Sequence, residues 1–140
     1  MECSHFEPTE DERVAEKLPA VIYLHGNCSS RLEALPCVPI LLPANITLFT
    51  MDMSGSGLSE GEFISLGWFE RDDVDLVVEF LRASQRVSTI GLWGRSMGAA
   101  TSLLHGDRDP SIAGMVLDSP FTSLKVLSEE LARSYSKIPK

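Results

Sequence analysis

Short apolar runs alternate with amphipathic segments along most of the chain, and this alternation constrains the fold more than any other feature. Four runs of about five residues are apolar almost throughout, as is typical of strands buried on both faces of a parallel sheet. They are AVIYL ending near Leu24, ITLFTM ending near Met51, TIGLW ending near Trp93 and AGMVL ending near Leu117. A turn and then a helical pattern follow each run, as in βαβ units. The sequence therefore predicts an α/β fold, a three-layer sandwich with a mainly parallel sheet.

The first two helical patterns follow the first two apolar runs. Ser30 and Glu33 have the spacing of a capping box, in which each side chain accepts a free backbone N–H at the start of a helix. Pro36 and Pro39 should kink or shorten this helix. The second pattern has carboxylates in its early turns and buries an apolar face. That face consists of Val74, Val77, Val78 and Leu81.

The last two helical patterns follow the third and fourth runs. One extends from Ser96 to His105, and we expect Gly106 and Pro110 to end it. The other begins behind Thr122 or Ser123 as the capping residue. Its apolar face consists of Leu124, Leu127, Leu131 and Ile138.

Length and charge limit the classes of protein to which the chain can belong. Its 140 residues, 44% hydrophobic, are the size of one domain spanning 1–140. A formal charge of −8 repels phosphate backbones, so nucleic acid is not an expected partner. No apolar run approaches the roughly 20 residues of a transmembrane helix. The acidic start has no secretion signal and the three cysteines lack metal-ligand spacing, so we expect a cytoplasmic protein without a metal.

The segment LWGRSMGAA places Ser96 between Gly94 and Gly98, directly after an apolar run and before a helical pattern. This G-x-S-x-G arrangement at a strand–turn–helix junction is typical of a nucleophile elbow, in which a strained turn exposes the serine hydroxyl. The alternative is that Ser96 only caps the helix, because serine is a favoured capping residue. Capping does not require a glycine on each side, so we favour the nucleophile.

Two other glycine-bearing loops also follow strand ends, where open parallel sheets bind their ligands. In HGN, the backbone N–H of Asn27 is the candidate second donor to an oxyanion, beside that of Met97, and the N–H of Cys28 is the alternative to that of Asn27. An ordinary strand–helix turn is the alternative for this loop. In DMSGSGLSEG the glycine spacing departs from the dinucleotide fingerprint, so no cofactor is expected and Asp52 should shape the rim of the site.

The four motifs HGN, DMSGSGLSEG, GRSMG and DSPF, in this order from about Pro19 onwards, resemble the α/β-hydrolase superfamily. Within it they are most similar to the serine aminopeptidase-like hydrolases and also resemble depalmitoylating thioesterases. The resemblance implies that Ser96 is the nucleophile, that Asn27 and Met97 are the oxyanion donors, and that the substrate is an ester, thioester or amide. It also implies that the HGN and GRSMG strands are neighbours.

The histidines do not fit the order serine, acid, histidine that this fold uses. After Ser96 the sequence contains only His105, about 13 Å further along the same helix. His25 lies in the HGN loop, His5 lies in an acidic segment, and Asp118 is better placed to shape a turn than to act as the acid. We therefore expect a partial hydrolase domain that is inactive or weak as this chain. The alternative is a non-catalytic interaction module or pseudo-hydrolase that associates through an exposed sheet edge.

Overall fold

The computed structural model describes residues 1–136. Within them, five strands form a sheet: β1 (Cys3–Phe6), β2 (Leu18–Leu24), β3 (Thr47–Met51), β4 (Val87–Arg95) and β5 (Met115–Asp118). Their spatial order is β1-β3-β2-β4-β5. β1 is antiparallel to β3, and the other neighbours are parallel. The predicted α/β fold with a mainly parallel sheet is therefore confirmed.

Helices connect the parallel strands. After β2 the chain forms a 3-10 helix (Arg31–Cys37), one short α-helix α1 (Val38–Leu41) and a second 3-10 segment (Leu42–Ala44). The helix α2 (Glu70–Ala83) follows β3, α3 (Met97–Arg108) follows β4, and α4 (Leu124–Ser136) follows β5. The connections are those of successive βαβ units.

Two apolar clusters lie on opposite faces of the sheet because successive strand side chains point in opposite directions. Ile22 and Leu24 of β2 belong to the cluster that includes Val77 of α2 and Met97 of α3. Tyr23 belongs to the other cluster, with Ala34 from the segment after β2. The chain thus leaves the adjacent strands β2 and β4 toward opposite faces. The prediction that the HGN and GRSMG strands are neighbours is confirmed, and a topological switch point lies between them.

The strand β1 is an element that the sequence analysis did not predict. Cys3 pairs with Met51 and His5 pairs with Phe49, with 5.4 Å between the ring centroids of His5 and Phe49. The four residues of β1 alternate between exposed and half-buried positions, so they form a half-solvated edge and not an apolar run. The sequence of β1 therefore lacks the continuous apolar run that predicts a buried strand.

The first helix differs from the prediction at its start. The Ser30 hydroxyl accepts a hydrogen bond from the Leu32 N–H at 3.4 Å, so serine is the cap. The Glu33 carboxylate accepts the N–H of Gly26 and not that of Ser30, so the predicted reciprocal capping box is wrong. Pro36 lies in the 3-10 helix and Pro39 in α1, and the helix is divided into short pieces as predicted.

The third helix is longer than the sequence predicted, because Gly106 does not end it. α3 continues to Arg108. A Cβ at Gly106 would lie 1.9 Å from the Met115 methyl group, so this glycine makes room for β5 against the helix. At the start of α4, Ser123 is the cap, since its hydroxyl accepts the Val126 N–H at 3.2 Å. The predicted apolar position Ile138 lies outside the described residues.

Candidate active site

Ser96 lies at the junction of β4 and α3 in a backbone conformation that non-glycine residues rarely adopt. Its φ is 51° and its ψ is −109°. Its backbone N–H donates to the Asp118 carbonyl at 2.8 Å, which ties the turn to the end of β5. The Ser96 side chain makes no capping hydrogen bond, so the alternative of a simple helix cap is not supported. Such strain is characteristic of functional sites and of nucleophile elbows.

The two glycines of GRSMG are required by close backbone approaches. A Cβ at Gly94 would lie 2.2 Å from the Gly98 carbonyl oxygen, so Gly94 permits the sharp turn itself. A Cβ at Gly98 would lie 1.9 Å from the Leu24 carbonyl oxygen, so Gly98 brings the start of α3 against the end of β2. Gly98 therefore permits the contact between α3 and β2, whereas the motif alone suggests that it relieves crowding around Ser96. It brings the HGN loop next to the elbow.

The two predicted oxyanion donors lie at the two elements that meet here. Asn27 is exposed, and its side-chain oxygen accepts the Cys28 N–H at 3.0 Å. Met97 is fully buried at the first position of α3, where a helix leaves its N–H groups without intrahelical partners. A Cβ at Gly26 would lie 3.9 Å from the Ser96 Cβ, so the HGN loop passes directly beside the serine.

His25 is buried and connects the HGN loop to the end of β3. Its Nδ1 lies 2.8 Å from the Gly26 carbonyl oxygen, and its Nε2 lies 3.2 Å from the Met53 backbone nitrogen. A carbonyl only accepts and an N–H only donates, so Nδ1 carries the proton and Nε2 accepts. Both ring nitrogens are occupied by the backbone. His25 is therefore placed as a structural residue.

The other two histidines lie away from the elbow. His5 is on the edge strand β1, against Phe49. His105 is buried near the far end of α3, with its Nδ1 2.8 Å from the Asp75 carboxylate. Within residues 1–136, no hydrogen bond joins a histidine to the Ser96 hydroxyl. Asp118 accepts a hydrogen bond from the Ser119 hydroxyl at 2.7 Å, which fits a role in shaping the turn after β5.

A cavity of about 300 Å³ opens at Ser96. The loop after β5 and one side of α4 form its remaining wall, through Ser119, Pro120, Phe121, Thr122, Val126, Leu127 and Glu130. This volume lies at the lower end of the range for small-molecule pockets. The serine is therefore accessible to a small substrate group.

Asp52 organises the loop after β3, and its role in shaping the rim of the site stays a prediction. Its buried carboxylate accepts the N–H of Arg31 at 2.6 Å and that of Leu58 at 2.9 Å, and it pairs with the Arg31 guanidinium. Burial alone would raise the pKa of Asp52, but these hydrogen bonds and the Arg31 charge lower it below its usual value. A Cβ at Gly57 would lie 2.3 Å from the Asp52 carboxyl carbon, so that position requires glycine.

Glu33 and Arg95 also lie at the site, and the sequence analysis gave neither a role there. The Glu33 carboxylate lies 3.3 Å from the Arg95 guanidinium and accepts the Gly26 N–H. Arg95 occupies the variable position before Ser96 in the motif. The capping-box spacing predicted that the Glu33 carboxylate accepts the Ser30 N–H, whereas it accepts the Gly26 N–H. No sequence spacing links Glu33 to Arg95, because the contact depends on the pairing of β2 with β4.

The profile of the family described as serine aminopeptidase, S33, matches residues 15–139. The chain belongs to this hydrolase family. The fold and the order of the motifs agree with the match, so the resemblance stated from the sequence is confirmed. The chain accordingly has an α/β-hydrolase architecture, in which its elbow and HGN loop occupy neighbouring strand ends.

Relatives of this S33 chain are found among curated proteins and solved structures. The human protein ABHD12B is 29% identical over 130 residues, which cover 86% of the chain and 35% of that protein. The uncharacterized protein YqkD of Bacillus subtilis is 31% identical over 104 residues, covering 72% of the chain and 34% of that protein. The Pyrococcus furiosus esterase Pf2001 superposes with a TM-score of 0.80 and 27% identity, over 99% of the chain and 60% of the esterase.

The S33 chain thus spans about a third of the length of these curated relatives and 60% of the esterase. A monoglyceride lipase from Saccharomyces cerevisiae, at 16% identity and a TM-score of 0.72, shares the fold. Among residues 1–136 no group of three or more histidine, cysteine or acidic side chains is placed to hold a metal ion. No helix in that part of the chain has the length and apolar character needed to span a bilayer.

Proposed function

We propose that this domain hydrolyses an ester, thioester or amide through an acyl-enzyme formed on Ser96. The strained conformation of Ser96, at a strand–helix turn that requires both flanking glycines, is the observation that carries the proposal. A backbone cost of about 1–3 kcal/mol persists only where the surrounding structure enforces it. Membership of a hydrolase family and the likeness to an esterase support the same chemistry.

In the proposed reaction the Ser96 Oγ attacks the carbonyl carbon of the substrate, and its proton passes to a base, a role that none of the three histidines is placed to fill. The base then gives the proton to the leaving group as the bond between the carbonyl carbon and that group breaks. The carbonyl oxygen becomes an oxyanion that accepts hydrogen bonds from the N–H groups of Asn27 and Met97. Donors of this kind are worth roughly 10²–10³ in rate. Water then attacks the acyl group, and the Ser96 hydroxyl is restored.

We propose that the 140-residue chain by itself turns over slowly, because none of its three histidines lies where it could take the proton of the Ser96 hydroxyl. His25 donates and accepts backbone hydrogen bonds, His105 lies beside Asp75 near the far end of α3, and His5 lies on β1. Loss of a triad member leaves roughly 10³–10⁴ of rate enhancement over water, from the oxyanion hole and binding. Acylation of Ser96 should therefore be measurable while steady-state turnover stays weak.

Incubation with p-nitrophenyl butyrate tests the proposal. We expect one butyryl group per chain on Ser96 by intact-mass and peptide mass spectrometry, and none in Ser96→Ala. The matched control Ser102→Ala removes a hydroxyl that bonds the Gly98 carbonyl inside α3, and it should still be acylated. A folded wild-type chain that acquires no acyl group, or acquires it equally in Ser96→Ala, contradicts the proposal.

A second candidate function is a non-catalytic interaction module that associates through a sheet edge. β5 is an outer strand of the described sheet, and Val116 on it is half exposed beside an apolar cleft that includes Val21 and Trp93. Unpaired strand edges favour pairing with another chain. Sedimentation velocity of wild type and Val116→Lys separates the two candidates. Association that Val116→Lys abolishes, without acylation of Ser96, favours the module.

The proposed setting of the hydrolase is the reducing cytoplasm, with residues 1–140 acting as one domain. Cys3, Cys28 and Cys37 are all free thiols, as such a compartment favours.

A further inference from the structure

The Glu33 carboxylate lies beside the HGN loop and has no part in the proposed acyl transfer. It belongs to the 3-10 helix after β2, and its side chain is only 13% exposed. Its Oε1 lies 3.3 Å and its Oε2 3.4 Å from the Gly26 nitrogen. The Tyr23 hydroxyl donates to Oε1 at 3.0 Å, and the Arg95 guanidinium lies 3.3 Å from Oε2. Three different elements therefore converge on one carboxylate.

These contacts favour the ionised form of Glu33. Burial alone would raise the pKa of Glu33, but the hydrogen bonds from Ser29, Tyr23 and Gly26 and the Arg95 charge lower it overall. Burial and the bond to Glu33 raise the pKa of Tyr23, so its hydroxyl stays a donor. A charged acceptor makes stronger hydrogen bonds than a neutral one. Glu33 is thus a fixed negative acceptor for the Gly26 N–H at neutral pH.

The position of the Gly26 backbone determines the orientation of the next amide N–H in the chain, that of Asn27. The peptide unit that carries the Gly26 N–H joins His25 to Gly26, and His25 is itself fixed through Met53. On the other side of Gly26, its carbonyl accepts both the His25 Nδ1–H and, at 3.3 Å, the Ser29 N–H. This carbonyl belongs to the same peptide unit as the Asn27 N–H, so the orientation of that N–H follows from how Gly26 is held.

We propose that Glu33 is a positioning residue of the oxyanion loop, which holds the Gly26 N–H so that the Asn27 N–H stays free and in one orientation beside Ser96. The inference rests on the proposed function, since Asn27 is an oxyanion donor only if Ser96 is acylated. Glu33 does not touch the substrate. It acts through Gly26, and the Tyr23 hydroxyl holds its carboxylate in place.

The competing account is that Glu33 only neutralises Arg95 next to the serine. Two variants separate these accounts because each removes one contact. Glu33→Gln keeps an oxygen acceptor for Gly26 but removes the charge that pairs with Arg95. Arg95→Met removes the ion pair and keeps the carboxylate on Gly26. Glu33→Ala removes both contacts, and the exposed Glu62→Gln is the matched charge control.

Amide hydrogen exchange of the whole chain, followed by NMR, tests whether the Glu33 carboxylate protects the Gly26 N–H. We expect exchange at Gly26 to rise on the order of 10- to 100-fold in Glu33→Ala, as for loss of a hydrogen bond to a charged group. Glu33→Gln should restore most of the protection, and Arg95→Met and Glu62→Gln should retain it. Exchange in α2 should stay unchanged. If Glu33→Ala does not fold, Glu33→Met, which fills similar space but offers no oxygen to the Gly26 N–H, takes its place in the comparison.

Labelling of Ser96 by a fluorophosphonate provides the functional readout. Its rate constant should fall by a similar factor in Glu33→Ala and recover in Glu33→Gln. Unchanged Gly26 exchange in Glu33→Ala, a parallel rise throughout α2, or an Arg95→Met variant that behaves as Glu33→Ala would overturn the proposal. If wild type is not labelled at all, the acyl-enzyme proposal fails, and Gly26 exchange still decides whether Glu33 holds the loop.

Discussion

Gly98→Ala tests whether the elbow depends on the close approach of α3 to β2. The added Cβ would lie 1.9 Å from the Leu24 carbonyl oxygen, 2.5 Å from the Leu24 carbonyl carbon and 2.9 Å from the His25 carbonyl oxygen. All three atoms belong to the backbone, so no side chain can rotate away. Reaching even a tight 3.0 Å contact requires the start of α3 to move by at least about 1 Å from β2.

Overpacking of this kind typically costs about 1–3 kcal/mol, and alanine regains up to about 1 kcal/mol as a better helix former. Because the added Cβ meets backbone atoms, we expect a cost at the upper end of this range, so that Gly98→Ala is about 2–3 kcal/mol less stable than wild type. The same movement displaces the Met97 N–H from Ser96, so fluorophosphonate labelling should slow by roughly 10²-fold, as for a lost oxyanion donor.

Gly114→Ala is the matched control, since a Cβ there meets nothing within 4 Å and the residue has no positive φ. It should be neutral or up to about 1 kcal/mol more stable, through the unfolded chain. Urea titrations followed by circular dichroism give the midpoint and slope for wild type and both variants. Equal midpoints for Gly98→Ala and wild type would refute the packing described at this turn.

The remaining predictions concern the carboxylates and the third histidine. Burial alone would raise the pKa of Glu70, but hydrogen bonds from Ser65 and Gly67 lower it below its usual 4.5. The stability that the Glu70 carboxylate contributes is therefore present above pH 4.5 and is lost as the pH falls through the lowered pKa. The urea concentration at the midpoint of unfolding should therefore fall as the pH is lowered from about 7 to about 3.5, and it should fall less steeply in Glu70→Gln. An equal dependence on pH in wild type and Glu70→Gln excludes this linkage. Asp52→Asn should destabilise by about 3 kcal/mol, because it leaves the Arg31 guanidinium without its buried partner, and an unchanged urea midpoint counts against that pair. His105→Gln should lower the melting temperature yet leave Ser96 labelling unchanged; slower labelling in the folded variant would show that His105 takes part.

The strands β2 and β3 were predictable because most of their residues are buried and they read as continuous apolar runs. Ile22, Phe49 and Leu92 lie in such runs and are buried in the structure. The run that forms β5 was also predicted to be buried on both faces, and this was wrong, because β5 is an outer strand with exposed or half-buried residues. The edge strand β1 was not predictable in this way, since His5 and its neighbours alternate on a half-solvated edge. The end of α3 was misplaced because Gly106 has a packing role against Met115, which only the tertiary structure reveals.

The candidate site was predictable to the extent that local sequence encodes it. Gly94, Ser96 and Gly98 lie within five residues, so their motif and the elements on either side of it are enough to indicate a strained turn. The contacts of Glu33 with Gly26 and Arg95 join segments that only the pairing of β2 with β4 brings together. Spacing along the chain carries no information about such a contact.

The nucleophilicity of Ser96 is the central claim, and fluorophosphonate labelling of the folded chain measures it most directly. Intact-mass and peptide analysis should find one phosphonyl group, on Ser96, and none in Ser96→Ala, whose unfolding transition should match that of wild type. Ser102→Ala should be labelled as wild type. A chain with a cooperative unfolding transition that stays unlabelled, or that is labelled at another residue, would contradict the account.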